Sequence, residues 1–256
     1  MFESVSTTHY GRCLKHQYNW YIDSVGINRL YYVHSGNVTV LLDNIPHELK
    51  AGYIYLLPQN LKFEPVLNDQ TFVDHTFLDF FSLPAIKMDT FLEIEPSKYP
   101  FIEKAGHILF ELAEAYQTYP SMVRNDYSDL VESYLKNILF LIDRQFPINT
   151  ISDSRINLVL DYIHKNYEKK ITLEQLIDIA NLEKNYFIRM FKQYMSVTPY
   201  QYIKKYRFNI ALTMLKRKQS ISSTALHIGY SDIASFSHAF KKIFGIYPSE
   251  IEKFSE

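Results

Sequence analysis

Two short segments of the sequence carry basic and polar side chains at matching positions, and these side chains have the clearest potential chemistry. The pattern Phe-x3-Phe-Lys-x6-Pro begins at Phe187 and is repeated 49 residues later from Phe236. In a helix, the two phenylalanines of each copy share one face, which leaves Arg189 or His238 on another. A helix that buries aromatic rings and exposes cationic and polar groups can bind a polyanion. Each segment is therefore a candidate for nucleic-acid binding.

Each candidate helix follows a shorter helix and a tight turn. The sequence TLEQ at 172–175 predicts a capping box, which starts a helix through Ala180. Asn181 then stands at the turn, where a residue that tolerates the left-handed conformation is required. Ahead of the turn the offset between copies is 48, so Asn181 corresponds to Gly229 and the second turn is one residue longer. The spacing predicts two helix-turn-helix units, the first with its second helix over about 184–194.

A longer helix is predicted to connect the two units. It starts at Pro199 and covers the 19 residues PYQYIKKYRFNIALTMLKR, a length of about 28 Å. Two reading helices on one face of a duplex lie about 34 Å apart, which is one helical turn. In such a unit the second helix enters the major groove, where polar side chains contact base edges and basic ones contact phosphates. The predicted partner is double-stranded DNA.

The C-terminal sequence resembles the DNA-binding domain of the AraC/XylS family of bacterial transcription regulators over about residues 171–251. The resemblance rests on Y-F-x-R-M-F-K at 186–192, Y-x-x-x-x-R-F-x-x-A-L-x-M-L at 202–215 and I-G-Y-S-D-x-A-S-F-S-H-A-F-K-K-x-F-G-x-x-P at 228–248. It implies a sequence-specific DNA-binding regulator that is not an enzyme and needs no cofactor. Whether binding activates or represses transcription stays open.

Carried over by position, the resemblance assigns the residues that would contact DNA. Those implied to read bases are Asn185, Ile188 and Arg189 in the first unit and Ile233, Ala234, Ser237 and His238 in the second. Those expected to contact phosphates are Lys184, Lys192, Lys241 and Lys242. Without the repeat, the same charges would be interpreted as ordinary solvated helix surface.

Two positions depart from the family pattern. Ile188 stands where a small polar residue is usual, which limits it to an apolar contact such as one with a thymine methyl group. Ser196 replaces the usual glycine after the first recognition helix.

The N-terminal half is predicted to be a small β-sandwich or barrel followed by two helices. Short runs rich in Tyr, Val, Ile and Phe occur between residues 20 and 81: LYYV, GNVTVLLD, HELKAGYIYLLP and FVDHTFLDFF. Helical periodicity follows over about 101–146 and predicts two antiparallel helices. Their apolar stripes, including Leu130 to Ile142, either pack on the barrel or form the seam of a homodimer. The fold class is α+β.

A polar run and a change of charge mark the expected domain boundary. From Arg155 to the end there are 16 Lys and Arg against 9 Asp and Glu, whereas residues 1–154 have 11 against 19. The run PINTISDS lies between these halves. We expect a sensory and dimerisation domain at 1–146, a linker at 147–154 and a DNA-binding domain at 155–256.

The N-terminal half is similar to the cupin-like sensing domain of the same family, in RLYYVHSGNVTVLLD at 29–43 and KAGYIYLLP at 50–58. Metal-binding cupins need a His-x-His pair followed by a carboxylate; this sequence has no such pair and has Phe63 where a histidine often falls, so we expect no metal. The similarity implies a small-molecule effector of unknown identity, such as a sugar, an aromatic compound or a fatty acid. Candidate pocket residues, which could equally be plain core, are Trp20, Tyr32, His34, Tyr53 and His75.

Composition excludes several classes of protein. The single cysteine, Cys13, excludes a disulfide framework and a multi-cysteine zinc site, and the N-terminal sequence lacks the pattern of a signal peptide. No run of about 18 apolar residues occurs, so we expect a cytoplasmic protein without a membrane partner. Two alternatives to the regulator remain: an architectural DNA binder without regulatory input, and a cupin enzyme with a helical tail. RNA polymerase is a further expected partner.

Overall fold

The structure is a computed structural model that describes residues 2–13, 27–42, 44–59, 63–66, 72–88, 91–118, 126–216 and 218–254. The described residues form two compact units, the first ending at Thr150 and the second beginning at Ile151. This division lies inside the segment 147–154 that we expect to be a linker. That each half folds alone stays a prediction.

The first unit contains one antiparallel sheet of seven strands. Their order is β1-β6-β2-β4-β7, and β3 and β5 also pair with β2. The strands are β1 (Ser4–Cys13), β2 (Asn28–Leu42), β3 (Ile45–Lys50), β4 (Ile54–Leu57), β5 (Phe63–Val66), β6 (Phe72–Leu83) and β7 (Leu92–Ile94).

The strand boundaries differ from the sequence prediction in three places. β2 continues through His34-Ser-Gly, where we expected a turn, because a register shift after Val33 and a positive φ of 76° at Gly36 let the strand bend without ending. HELKAGYIYLLP is divided into β3 and β4 by a turn in which Gly52 has a φ of 83°. β1 was not predicted, since its sequence SVSTTHYGRC has no apolar run; pairing with β6 defines it.

Two helices, α1 (Pro100–Thr118) and α2 (Asp126–Gln145), confirm the prediction for 101–146. They pack on one face of the sheet, where Leu109, Ile138 and Ile142 are fully buried together with Leu30 and Phe80. The other face of the sheet has a second apolar core, whose buried members are Tyr31, Val33, Val38, Val40, Leu42, Leu49, Tyr55, Leu57 and Val73. Most of the α2 stripe is therefore needed inside its own unit, and the dimer seam stays a prediction.

The second unit is helical, as predicted. Its helices are α3 (Ser154–Asn166), α4 (Leu173–Ala180), α5 (Lys184–Met195), α6 (Pro199–Lys216), α7 (Ile221–His227) and α8 (Ile233–Phe244). The capping box at the start of α4 is confirmed: the Thr172 hydroxyl accepts from the amide of Gln175, whose side chain accepts from the amide of Thr172. Among the described residues, no helix is long and apolar enough to cross a membrane.

Candidate nucleic-acid interface

The two predicted repeats have nearly the same geometry. In α5 the rings of Phe187 and Phe191 are 5.8 Å apart at 58°, and in α8 those of Phe236 and Phe240 are 5.7 Å apart at 60°. All four rings are fully buried. Each phenylalanine pair fixes which face of its helix is turned to the core and which to solvent.

The turns of the two units are also related as predicted. Asn181 and Gly229 both have positive φ, at 50° and 87°. One residue separates Asn181 from the cap of α5 at Glu183, and two separate Gly229 from the cap of α8 at Asp232. The extra residue in the second turn is confirmed.

The seven expected base-reading positions all lie on solvent-accessible surface of α5 and α8. Ile188 and Ser237 are half-buried. The other five are exposed, namely Asn185, Arg189, Ile233, Ala234 and His238. Ile233, at the start of α8, is 49% exposed, which leaves its side chain accessible for an apolar contact.

The four expected phosphate-contacting lysines, Lys184, Lys192, Lys241 and Lys242, are exposed. Lys241 differs from the others because its ammonium group lies 4.0 Å from the centre of the Tyr247 ring, in cation–π geometry. This contact was not predicted from the sequence, although Tyr247 lies directly before the repeated proline. Tyr247 restricts the position of one charge at the edge of the second recognition helix.

The two carboxylates that cap the recognition helices were not predicted from the sequence either. Glu183 accepts from the amides of Asn185 and Tyr186, and Asp232 accepts from those of Ala234 and Ser235, at 2.9 to 3.0 Å. The hydrogen bonds from the amides of Asn185 and Tyr186 lower the pKa of Glu183. Hydrogen bonds from the side chain and the amide of Ser235 lower the pKa of Asp232. Each carboxylate occupies two of the amides at its helix start, and its negative charge disfavours a phosphate at the same place.

The five predicted pocket residues of the first unit do not lie together. Tyr32 and Tyr53 line a cavity of about 320 Å³ between the β3–β4 turn and α1. His75 is elsewhere, buried against Tyr31, and burial lowers its pKa to about 4. Trp20 lies outside the described residues. Other side chains that line the cavity are Glu95, Ser97, Glu103, His107 and Phe110.

His34 belongs to a polar network that connects α1 to the sheet. Thr76 Oγ1 donates to Glu114 Oε1 at 2.7 Å, so His34 Nε2, also 2.7 Å from Thr76 Oγ1, must be the donor in that pair. Arg12 donates to both oxygens of Asp74, at 2.9 and 2.7 Å, and to Glu114 at 3.2 Å. Burial, followed by the Arg12 charge, lowers the pKa of His34. Its ring meets that of Tyr32 at 4.7 Å, which places the network beside the cavity.

No group of three or more His, Cys, Asp or Glu side chains within the described ranges is arranged to hold a metal ion. The expectation for Phe63 concerns a side chain that the structure does not describe.

Comparison with known proteins relates both units to regulators. A family model described as a helix-turn-helix domain matches residues 176–253. The raffinose operon transcriptional regulatory protein RafR of Pediococcus pentosaceus is 28% identical over 237 residues, 88% of this chain and 84% of RafR. The probable transcriptional regulator LumQ of Photobacterium leiognathi is 30% identical over 137 residues, 52% of this chain and 53% of LumQ.

Among solved structures, ToxT from Vibrio cholerae is similar with a TM-score of 0.64 at 12% identity, over 97% of this chain and 98% of ToxT. A second ToxT structure, described as bound to an unsaturated fatty acid, has a TM-score of 0.55 at 13% identity over 97% and 93% of the two chains. These likenesses show a shared two-unit fold. The repeated helix-turn-helix motifs, the matched family model and the relatives named as regulators show that this chain is a DNA-binding transcription regulator, and its repeated motifs are similar to those of the AraC/XylS family.

Proposed function

We propose that the chain reads a specific DNA site with α5 and α8 in neighbouring major grooves. The observation that carries this proposal is the near-identity of the two units, which bury the same phenylalanine pair and leave the expected base-reading positions accessible. A helix of 18 residues, α6, is about 27 Å long and connects them. A connecting helix of this length is of the order needed to hold two recognition helices in grooves one helical turn, about 34 Å, apart.

The roles within each head follow from side-chain chemistry. Arg189 has a fixed charge and a two-pronged donor that matches the paired acceptors of guanine, so it is proposed to supply a base-specific contact worth about 1–3 kcal/mol. His238, at the equivalent position in α8, offers ring nitrogens without that fork, and the second head should discriminate less. Lys184, Lys192 and Lys241, with Lys242, are proposed to contact phosphates, which sets affinity without choosing a sequence.

The test uses the full chain and a duplex selected from a random-sequence library, followed by titration of all single-base variants of that duplex. Arg189→Ala should flatten discrimination at one or two adjacent base pairs in one half of the site. Lys192→Ala, the matched control three residues further along α5, should weaken all variants alike and lower the salt slope by about 0.9. Equal weakening of every variant by Arg189→Ala would make Arg189 a phosphate contact and contradict the assignment.

We further propose that a small saccharide in the cavity of the first unit controls DNA binding. Tyr32 stacks on Phe110 at 5.1 Å and 11°, which provides an aromatic wall. Glu103 and the Tyr53–Glu95 pair provide carboxylate and hydroxyl groups that can accept and donate hydrogen bonds. Glu95 is paired with Lys98, so the Glu103 carboxylate is the charge that repels an anionic ligand, and the lining does not favour a fatty acid. RafR, which aligns over most of this chain, is named for a raffinose operon.

Titration calorimetry of the full chain with galactose, raffinose and a monounsaturated fatty acid tests this proposal. A saccharide should bind, and Glu103→Gln should weaken its binding by about tenfold through loss of a charge-assisted hydrogen bond. Glu111→Gln, on the exposed side of the same helix, is the control and should leave binding unchanged. Binding of the fatty acid alone, or of none of the three, would contradict the saccharide assignment while leaving the DNA-binding proposal intact.

We also propose a homodimer formed through α1 and α2, where Ile108 and Leu130 are 42% and 39% exposed. Sedimentation of the full chain should show a dimer that Leu130→Glu converts to a monomer; a monomeric wild type at high concentration would contradict it.

RNA polymerase remains a proposed partner, implied by the resemblance to the AraC/XylS family. A regulator that acts on bacterial DNA is expected in the cytoplasm.

A further inference from the structure

Arg207 lies in the middle of α6 and holds the end of α3. Its Nε donates to the carbonyl oxygen of Tyr167 at 2.7 Å, and its Nη2 donates to that of Lys169 at 2.6 Å. These carbonyls belong to the residues just after α3, where a helix end leaves acceptors without partners. α3 packs against α4, so these bonds tie α6 to the first helix-turn-helix unit.

Another nitrogen of the Arg207 guanidinium, Nη1, lies near the second helix-turn-helix unit. At the turn between α7 and α8, a side chain at Gly229 would place its Cβ 3.6 Å from Arg207 Nη1 and 3.6 Å from the carbonyl oxygen of Glu168. At the end of α7, His227 Nε2 is 3.0 Å from the Tyr167 hydroxyl and 3.2 Å from Glu168 Oε1. The segment after α3 therefore meets the turn of the second unit at the guanidinium of Arg207.

The chemistry of Arg207 suits this joint. A guanidinium is planar, with donors fixed in direction, so hydrogen bonds to two carbonyls that lie two residues apart in the chain define an angle as well as a distance. Arg207 is half-buried, which shields these bonds from water. A lysine at the same position would have a single ammonium group at the end of a flexible chain and could not hold both carbonyls in the same way.

We propose that Arg207 is a positioning residue that fixes the distance and rotation between the two recognition helices, and thereby determines which separation of half-sites the protein accepts. This inference rests on the proposed function, in which both heads bind DNA at once. One inserted base pair moves a half-site by about 3.4 Å and turns it by about 35° around the duplex. A rigid joint cannot follow both changes, so the second head loses its groove.

The experiment measures binding of the full chain to the selected duplex and to versions with one base pair inserted or deleted between the half-sites. The wild type should lose at least about tenfold in affinity for either altered spacing. Arg207→Gln should reduce this penalty to about threefold or less, because a looser joint lets the second head follow its site. Arg207→Lys, which keeps the charge without the fork, should fall between them.

Lys204→Gln removes a positive charge from the same helix and is the matched control. It should weaken binding to all spacings alike and leave the ratio between spacings unchanged. If Arg207→Gln does not fold by circular dichroism, Arg207→Lys gives the answer. An unchanged spacing penalty in a folded Arg207 variant would overturn the inference. If the wild type itself tolerates every spacing, the proposal of two heads bound at once fails as well.

Discussion

The two helix-turn-helix units have the same frame but different supports. Beneath α5, His164 stacks on Tyr206 at 4.6 Å and is 2.8 Å from the Tyr202 hydroxyl, so the first unit rests on polar aromatic residues. Beneath α8 most of the rings belong to phenylalanine, with Phe208 stacked on Phe236 at 5.9 Å and Phe244 4.5 Å from Phe240, and Tyr230 packs 5.8 Å from Phe236. The phenylalanine pair, the acidic cap and the left-handed end are shared. These repeated features set the recognition geometry, while the residues behind them are free to vary.

The two reading faces differ in a related way. The first presents Asn185 and Arg189, with side chains that can form directed hydrogen bonds, whereas the second has Ala234 and His238 at the equivalent positions. The second instead has a lysine held in place by Tyr247. We expect the first helix-turn-helix unit to contribute more to the choice of DNA sequence and the second helix-turn-helix unit to contribute more to general affinity.

The largest expected effect tests whether the units are independent. Phe191→Ala and Phe240→Ala each remove a fully buried ring and should lower the free energy of unfolding by about 3–5 kcal/mol. If the units are independent, each variant loses footprint protection in its own half of the site. Loss of protection in both halves in either variant would show that the two helix-turn-helix units fold as one.

The second prediction concerns acid. Burial lowers the pKa of His164 to about 3, below that of an exposed histidine, so the unfolded chain takes up a proton between about pH 6.5 and 3 that the folded chain does not. Above about pH 6.5, His164 does not change the free energy of unfolding with pH. Below that pH the free energy of unfolding should fall by up to about 1.4 kcal/mol per pH unit.

This loss of stability at low pH should be confined to the region of the first helix-turn-helix unit. Hydrogen exchange of α3 and α6 amides at pH 7 and pH 5 measures it, with α8 amides as the internal reference. His164→Gln removes the titrating group and should reduce the difference between the two pH values. An α8 response as large as that of α3, or the same response in His164→Gln, would contradict the assignment.

A smaller effect is expected at the ends of the recognition helices. Ser196 and Gly245 both adopt positive φ, at 62° and 77°, and their amides bond to Lys192 and Lys241 carbonyls at 2.8 Å. Serine is strained there and glycine is not, so Ser196→Gly should stabilise the chain by about 0.5–1 kcal/mol and Gly245→Ser should destabilise it by a similar amount. Urea unfolding measures both; two changes of the same sign would show that the ends are not equivalent.

An effect of similar size is expected for the contact between Lys241 and Tyr247. Tyr247→Leu removes a cation–π contact worth about 0.5–1 kcal/mol, so DNA affinity should fall about twofold to fivefold without a change in base preference. In a Lys241→Ala background the same substitution should have no further effect. Additive losses would mean that Tyr247 contacts DNA by itself.

The sequence alone determined the helical half of the molecule because its signals are local. The capping box at Thr172, the repeated phenylalanine pairs and the turn residues Asn181 and Gly229 act within a few residues of one another, so their spacing predicts the structure that they form. The accessibility of the expected positions on α5 and α8 could be predicted for the same reason, because the helical period places them on the face opposite the phenylalanine pairs.

Other features required the tertiary structure because their partners are distant in the chain. β1 has no apolar pattern and exists through pairing with β6, and the course of β2 depends on a bulge that only its neighbouring strands define. Arg207 meets Tyr167 across 40 residues, and the neutral state of His164 depends on rings of α6. Desolvation and hydrogen bonds between distant segments arise only when the chain is packed, so no local pattern could predict them.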